Sequence, residues 1–202
     1  MKFKLRVISA NSSFLEAKYF QTLKSAEVLL YAYGGVRSKL FRALSHVQCL
    51  EIYADALETV SIIDDFVNIL PHVFHDVDKL ILKQGKTIDK LLFLLLKALP
   101  NLRWLVFEEG FLDDNKEENS LAAHMLTAGC MFQHLQSVTF VRFSGNVRQM
   151  RWVKLILKTA NALKAVVLSL RSDDVVNKEA LMSDLQSLPR AFDGCEFEFR
   201  EY

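Results

Sequence analysis

His124, Cys130 and His134, in "HMLTAGCMFQH", are the side chains of this chain best suited by type to hold a metal ion. Zinc needs three or four imidazole or thiolate ligands brought together, usually drawn from close-spaced pairs, and this segment contains no such pair. His72 and His75 lie in a separate stretch, so all five residues read as packing or loop positions and no metal is expected. Nucleophilic chemistry finds no better footing: there is no "GxSxG" elbow, and no sequence signature marks Cys49, Cys130 or Cys195 as a nucleophile with an activating histidine. Their odd number and wide separation fit reduced core thiols rather than a disulfide framework. Paired acids occur at Asp64 and Asp65, Glu108 and Glu109, and Asp113 and Asp114, but acid/base work would need two of them to converge in a pocket. "EEGFLDDNKEEN" reads instead as a solvated loop. "YGGV" lacks the lysine of a phosphate-binding loop. No catalytic residue and no cofactor are expected.

The elements that must position whatever chemistry remains belong to a folded chain of 202 residues, 51% of them hydrophobic, with a mean hydropathy of +0.15. Seven glycines and three prolines are too few for a linker-rich or disordered protein. Lys and Arg number 25 against 24 acids, interleaved along the whole length, so the clustered basic face of a nucleic-acid binder is not expected. "LLFLLL", Leu91 to Leu96, lies between lysines and is far shorter than the ~20 residues of a membrane-spanning helix, so no membrane association is expected. Lys4 and Arg6 interrupt the opening segment where a signal peptide needs an apolar run. The expected location is cytoplasmic or nuclear, and the "NSS" at Asn11 is a chance tripeptide rather than a glycosylation site.

One short phrase recurs: "VQCLEIY" from Val47, "VDKLILK" from Val77, "LRWLVFE" from Leu102, "LQSVTFV" from Leu135 and "LKAVVLS" from Leu163. The starts are 77−47 = 30, 102−77 = 25, 135−102 = 33 and 163−135 = 28 residues apart, near the leucine-rich-repeat interval of roughly 20 to 29. Each phrase ends in strand alternation, which predicts Leu50 and Ile52, Leu80 and Leu82, Leu105 and Phe107, Val138 and Phe140, and Val166 and Leu168 as inward pairs. Between phrases the period changes to that of a helix. Ile88, Leu91, Leu92, Leu95 and Leu99 form one stripe; Val147, Met150, Val153, Leu157 and Ala160 form another, with Thr87 and Asn146 as N-caps. A third helix is predicted from about Asn177 to Ser187, with Ala180, Leu181, Leu185 and Leu188 as its stripe and Pro189 as its stop. "CEFEF", from Cys195, closes as a strand. Weaker copies precede these, with a strand near "AEVLLY" and short helices around "RSKLFRAL" and "SIIDDFVNIL".

The fold class expected is therefore α/β: an irregular leucine-rich-repeat solenoid of parallel strands and helices, in which each strand-and-helix unit covers its apolar face by stacking on the next. An ordinary α/β layer without true repeats is the alternative. "VTFVRFSGNVRQMRWVKLILKTANALKAVVL" resembles the terminal domain of plant F-box proteins with leucine-rich repeats and an FBD domain. That domain joins a strand and an F-x-G turn to a helix of the form M-x-x-V-K-x-x-L-x-x-A and a strand beginning L-K. "LPRAFDGCEFEF" is similar to its closing segment, and "LKALPNLRWLVFEEGF" resembles the last leucine-rich repeat. The likeness runs from about Val47 to Phe199. It implies leucine-rich repeats over 1–130 and an FBD-like domain over 131–202 that continues the same solenoid. Gln149 stands where the family often has an acidic residue, and Phe192 where it often has a small one.

What the resemblance implies is a non-catalytic protein-recognition module, similar to the substrate-binding half of a Skp/cullin/F-box ubiquitin ligase receptor, with an unknown protein as target. No F-box helix is visible between Met1 and Leu50, so binding to the ligase adaptor is not expected. An F-box-lacking decoy that holds the target without its ubiquitination is a variant of the same reading. A small α/β hydrolase or transferase with a cleft at the strand ends is the alternative from another class.

Strand parity leaves one face of the sheet to partners. It assigns Cys49, Glu51 and Tyr53, Lys79, Ile81 and Lys83, Trp104, Val106 and Glu108, Ser137, Thr139 and Val141, and Ala165, Val167 and Ser169 to that face. Glu51, Tyr53, Lys83, Trp104, Glu108 and Thr139 are its candidate binding residues, Trp104 and Tyr53 being anchor types. At the ends, "CEFEFREY" reads as a polar-capped terminal strand, and "FKLRVIS" as a strand whose preceding neighbour is missing.

Overall fold

A computed structural model describes residues 24–28, 44–53, 74–83, 89–108, 131–170 and 178–201. Seven strands, β1 Ser25–Val28, β2 Cys49–Tyr53, β3 Lys79–Lys83, β4 Trp104–Phe107, β5 Ser137–Phe140, β6 Ala165–Leu170 and β7 Glu196–Glu201, form a single sheet. Every pair is parallel and the spatial order equals the chain order, so each of the five inner strands hydrogen-bonds to its predecessor and its successor. A return to a parallel neighbour needs a crossover, and three of these contain helices among the described residues: α1 Asp89–Lys97, α2 Val147–Thr159 and α3 Lys178–Gln186.

The recurring phrase has a backbone counterpart. The carbonyls of Lys24, Gln48, Asp78, Arg103 and Gln136, each one residue before a strand, all accept from two successive N–H groups at the start of the next unit, at 2.8 to 3.2 Å. The same bifurcated joint thus recurs five times. Register follows from it, and places Leu50, Leu80, Leu105, Val138 and Val166 side by side, with Ile52, Leu82, Phe107, Phe140 and Leu168 as a second row. All ten are at most 2% exposed, as the alternation predicts. At the β7 edge the rows end in Phe197 and Phe199, which are only partly buried because no strand lies beyond them in the described sheet.

Helix α1 is apolar almost throughout, and Leu91, Leu92, Phe93, Leu95 and Leu96 are buried. It stacks beside α2 through Phe93 and Trp152, whose ring centres are 5.0 Å apart; Phe107, Phe140 and Phe143 extend this aromatic core beneath them. A buried ion pair joins the same helices. Oδ1 of Asp89, in the first turn of α1, accepts from Arg148 Nε at 3.1 Å and Nη2 at 2.9 Å, and from Trp152 Nε1 at 3.2 Å.

Asn146 caps α2 as expected, its Oδ1 accepting from Gln149 N at 2.8 Å. Gln149 answers in kind: its Oε1 accepts from Ser144 N at 2.9 Å, Ser144 Oγ at 3.1 Å and Gly145 N at 3.1 Å. An amide oxygen here performs the task a carboxylate would perform in a capping box. Gly145 has φ of 73°, and a Cβ there would lie 3.0 Å from Leu181 of α3, so turn conformation and close packing both call for glycine.

Four expectations need correction. Val147 is not in the buried stripe of α2 but 57% exposed. The helix is rotated so that Arg148 and Trp152 meet α1 while Val153, Ile156 and Leu157 join the core, which buries two flanks instead of one. Ala180 is exposed; α3 is an end helix anchored chiefly by Leu185, with Leu181 and Leu188 partly buried. Val167 and Ser169 occupy the outward rows of β6, yet they are 5% and 9% exposed. Strand parity assigns a face but not what lies over it; β7 flanks both residues through the register Val167–Glu198 and Ser169–Arg200. Finally, the last strand begins one residue later than predicted, at Glu196. Thr87, "FKLRVIS", "RSKLFRAL", "SIIDDFVNIL" and most of "EEGFLDDNKEEN" lie outside the described residues.

Candidate partner-binding surface

The sheet face opposite the aromatic core carries the second set of rows. Ser25, Cys49, Lys79, Trp104, Ser137, Ala165 and Glu196 form one, and Glu27, Glu51, Ile81, Val106, Thr139, Val167 and Glu198 the next. Tyr53 and Lys83 begin a third row, which Glu108 extends because its N–H donates to Leu82 O at 2.8 Å and continues the β3–β4 ladder.

At the corner formed by β1 to β4 the charged residues converge. Lys83 Nζ lies 3.1 Å from Glu51 Oε2, 3.5 Å from Glu108 Oε1 and 3.8 Å from Glu27 Oε1. Tyr53 donates its hydroxyl to Glu27 Oε1 at 3.1 Å, and its ring lies 5.8 Å from Lys83 Nζ. Burial alone would pull the Lys83 ammonium down; the hydrogen bond to Glu51 and the charges of Glu108, Glu51 and Tyr53 outweigh it, so Lys83 titrates above the ordinary lysine value. One ammonium faces three carboxylates. Glu27 and Glu51 are largely covered, at 6% and 14% side-chain exposure, whereas Glu108 sits at the rim at 40%.

Four of the six residues singled out from the sequence, Glu51, Tyr53, Lys83 and Glu108, therefore meet in one cluster. Trp104 is on the same face but at the opposite end of its strand, 38% exposed. Thr139 is half-buried beside Val106, one strand beyond the cluster. Glu27 was missed. Its phrase, "SAEV", lacks the apolar spacing of the later copies, and only the pairing of Glu27 with Glu51 reveals that it shares their face.

The arrangement offers ionic, hydrogen-bonding and aromatic contacts. His75 and His134 are exposed, His72, His124 and Cys130 lie outside the described residues, and among the described residues no three potential metal ligands come together. Cys195 is buried at 3% exposure, and burial pushes its thiol up, the Arg190 charge only partly offsetting this, as befits a packed thiol rather than a nucleophile. No described helix is long and apolar enough to cross a membrane.

Comparison with known proteins finds two partial similarities. Residues 127–168 match the model of the FBD family. The chain is 27% identical over 135 residues to an F-box/FBD/LRR-repeat protein of Arabidopsis thaliana; the match covers 61% of this chain and 31% of that protein. The matched part is thus under a third of the relative's length, and no solved structure matches the chain significantly. Both matches are similarities over part of the chain: one to the FBD family over residues 127–168, the other to a plant F-box/FBD/LRR-repeat protein.

Proposed function

We propose that the chain is a non-catalytic recognition module that binds a protein target, as the substrate-binding half of an F-box ubiquitin ligase receptor does. In this reading its strands and helices form an irregular leucine-rich-repeat solenoid, with leucine-rich units over 1–130 and the FBD unit over 131–202 continuing the same stack. One observation carries the proposal: the sheet is two-faced, one side sealed by helices and an aromatic core, the other bearing charged, aromatic and aliphatic side chains in register across successive strands. Stacked-repeat proteins use such extended surfaces for binding.

The test is site-specific photo-crosslinking in a plant-cell extract. A photoreactive side chain at Val106, half-buried in the middle of the sheet face, is compared with one at Lys154, exposed on α2. Discrete protein adducts from position 106 and none from position 154 are expected. Adducts of equal yield from both positions refute the assignment of the working face.

A further inference from the structure

Strand β7 ends the described sheet, and one of its edges is left to pair. Glu196 N donates to Lys164 O at 2.9 Å, which fixes the phase of the ladder: Glu196, Glu198 and Arg200 turn their backbone groups to β6, while Phe197, Phe199 and Glu201 turn theirs outward. Among the described residues no strand takes up those outward N–H and C=O groups. Phe197 and Phe199, whose ring centres are 6.0 Å apart, are only partly buried for the same reason. The other side-chain row is charged. Arg200 Nε lies 2.9 Å from Glu198 Oε1, both side chains are more than half exposed, and the forked donors of a guanidinium can serve a second carboxylate. Charge along an edge strand is commonly a guard against pairing, and a guard of one sign repels a copy of itself in every register. "EFEFRE" carries both signs.

We propose that β7 is a homodimerisation edge, pairing antiparallel with β7 of a second copy about a twofold axis at Phe199. A twofold interface is self-complementary, so each register is judged by what it sets opposite what. Centred on Phe199, it places Glu198 against Arg200 of the second copy twice over and Phe199 against its own counterpart. It also sets Glu201 across from Phe197, whose ring carries the Arg190 guanidinium at 4.9 Å. The registers one step to either side fail: a pairing centred on Glu198 sets that carboxylate against itself, and one centred on Arg200 does the same with the guanidinium. Backbone phase agrees with the charges. Phe199 turns its N–H and C=O outward, so the two copies exchange both hydrogen bonds there and again where Phe197 meets Glu201, while Glu198 and Arg200 fall at the closer, non-hydrogen-bonded positions. Such a pairing has its axis perpendicular to the sheet. The face of Glu51 and Thr139 then lies on the same side of both copies, which on the recognition reading above makes the pair bivalent.

The experiment is sedimentation velocity of the full chain from about 1 to 200 μM, the range in which a small interface dissociates. Wild type is compared with Arg200→Glu, Glu198→Arg and the double exchange, all at exposed positions and each first shown to keep the wild-type far-ultraviolet circular dichroism. Wild type is expected to pass reversibly from monomer to dimer. Each single variant puts two like-charge pairs in place of two opposite ones and weakens association at least ~10-fold. Mixing the two single variants restores the dimer, as does combining both changes in one chain, because Glu and Arg again face each other. A wild type that is monomeric throughout overturns the proposal and leaves the edge to a strand of another protein. Self-association that survives in both single variants lies elsewhere on the molecule and overturns it too. Single variants that are monomeric and do not recover on mixing refute the Phe199-centred register, and the proposal with it. No target enters the assay, so its failure and that of the recognition reading are separate results.

Discussion

Removing the carboxylate of Asp89 separates two descriptions of how α1 and α2 are held together. Asp89 and Arg148 are 4% and 7% exposed, and Oδ1 of Asp89 accepts three hydrogen bonds, two from Arg148 and one from Trp152. In Asp89→Leu the guanidinium loses its buried counter-charge, at a cost of about 3 to 5 kcal/mol. Arg148→Met leaves a buried carboxylate facing an apolar side chain, a loss of similar size. In the double variant neither charge remains, and the main defect is the Trp152 N–H deprived of its acceptor, about 1 to 3 kcal/mol. The single losses sum to roughly 6 to 10 kcal/mol, comparable to the whole stability of a typical domain, while the double variant is far milder. Urea unfolding followed by far-ultraviolet circular dichroism measures this, and with a slope near ~2 kcal/mol per M each single change moves the midpoint by about 2 M. Destabilisation by the double variant equal to the sum of the singles refutes the coupling, and with it the view that this ion pair sets how one helix sits on the next.

The packing of the two sheet faces and of the turn before α2 sets further expectations. Leu105→Ala removes a residue that is 0% exposed and costs about 2 to 5 kcal/mol, whereas Trp104→Ala, 38% exposed, costs far less stability; equal losses in chemical denaturation contradict the assigned faces. Gln149→Ala strips the acceptor from Ser144 N, Ser144 Oγ and Gly145 N and costs about 1 to 3 kcal/mol, with hydrogen exchange of both amides accelerated; unchanged exchange counts against the capping role. Because Lys83 titrates above 10.5, its contribution is complete below that value and lost as pH rises through the raised folded value, so the stability of Lys83→Met falls less than that of wild type between about pH 9 and pH 12. Cys195 resists iodoacetamide at neutral pH more than Cys49 does, and urea abolishes the difference.

The sequence made the inward rows legible because a strand with one sealed face must alternate, and the five phrases place all ten inward residues correctly. Asn146 was legible for a similarly local reason, a capping side chain three residues before the amide it accepts from. Long-range pairings were not. Asp89 and Arg148 are 59 residues apart, and nothing local in "TIDK" or "NVRQM" marks them as partners. The Lys83 cluster was half legible: parity put Glu51, Tyr53, Lys83 and Glu108 on one face, but their convergence depends on strand order, which periodicity does not contain. Val167 and Ser169 show the converse limit, since alternation says which way a side chain points and not what packs over it.

The five bifurcated carbonyl joints have a consequence for how such a chain can change length. Each strand is placed by the carbonyl immediately before its predecessor, not by the number of residues in the intervening crossover. Phrase starts 30, 25, 33 and 28 residues apart accordingly enter one sheet without a slip in register. A slip of a single residue would turn every core side chain of a strand to the wrong face, so the joint makes pairing phase and linker length independent quantities. Insertions and deletions between strands then act as changes of ornament at the rim, with a closure cost that grows only logarithmically, while the ladder of rows stays intact. A whole unit can be gained or lost in the same way, as a step in the stack rather than a reorganisation of it.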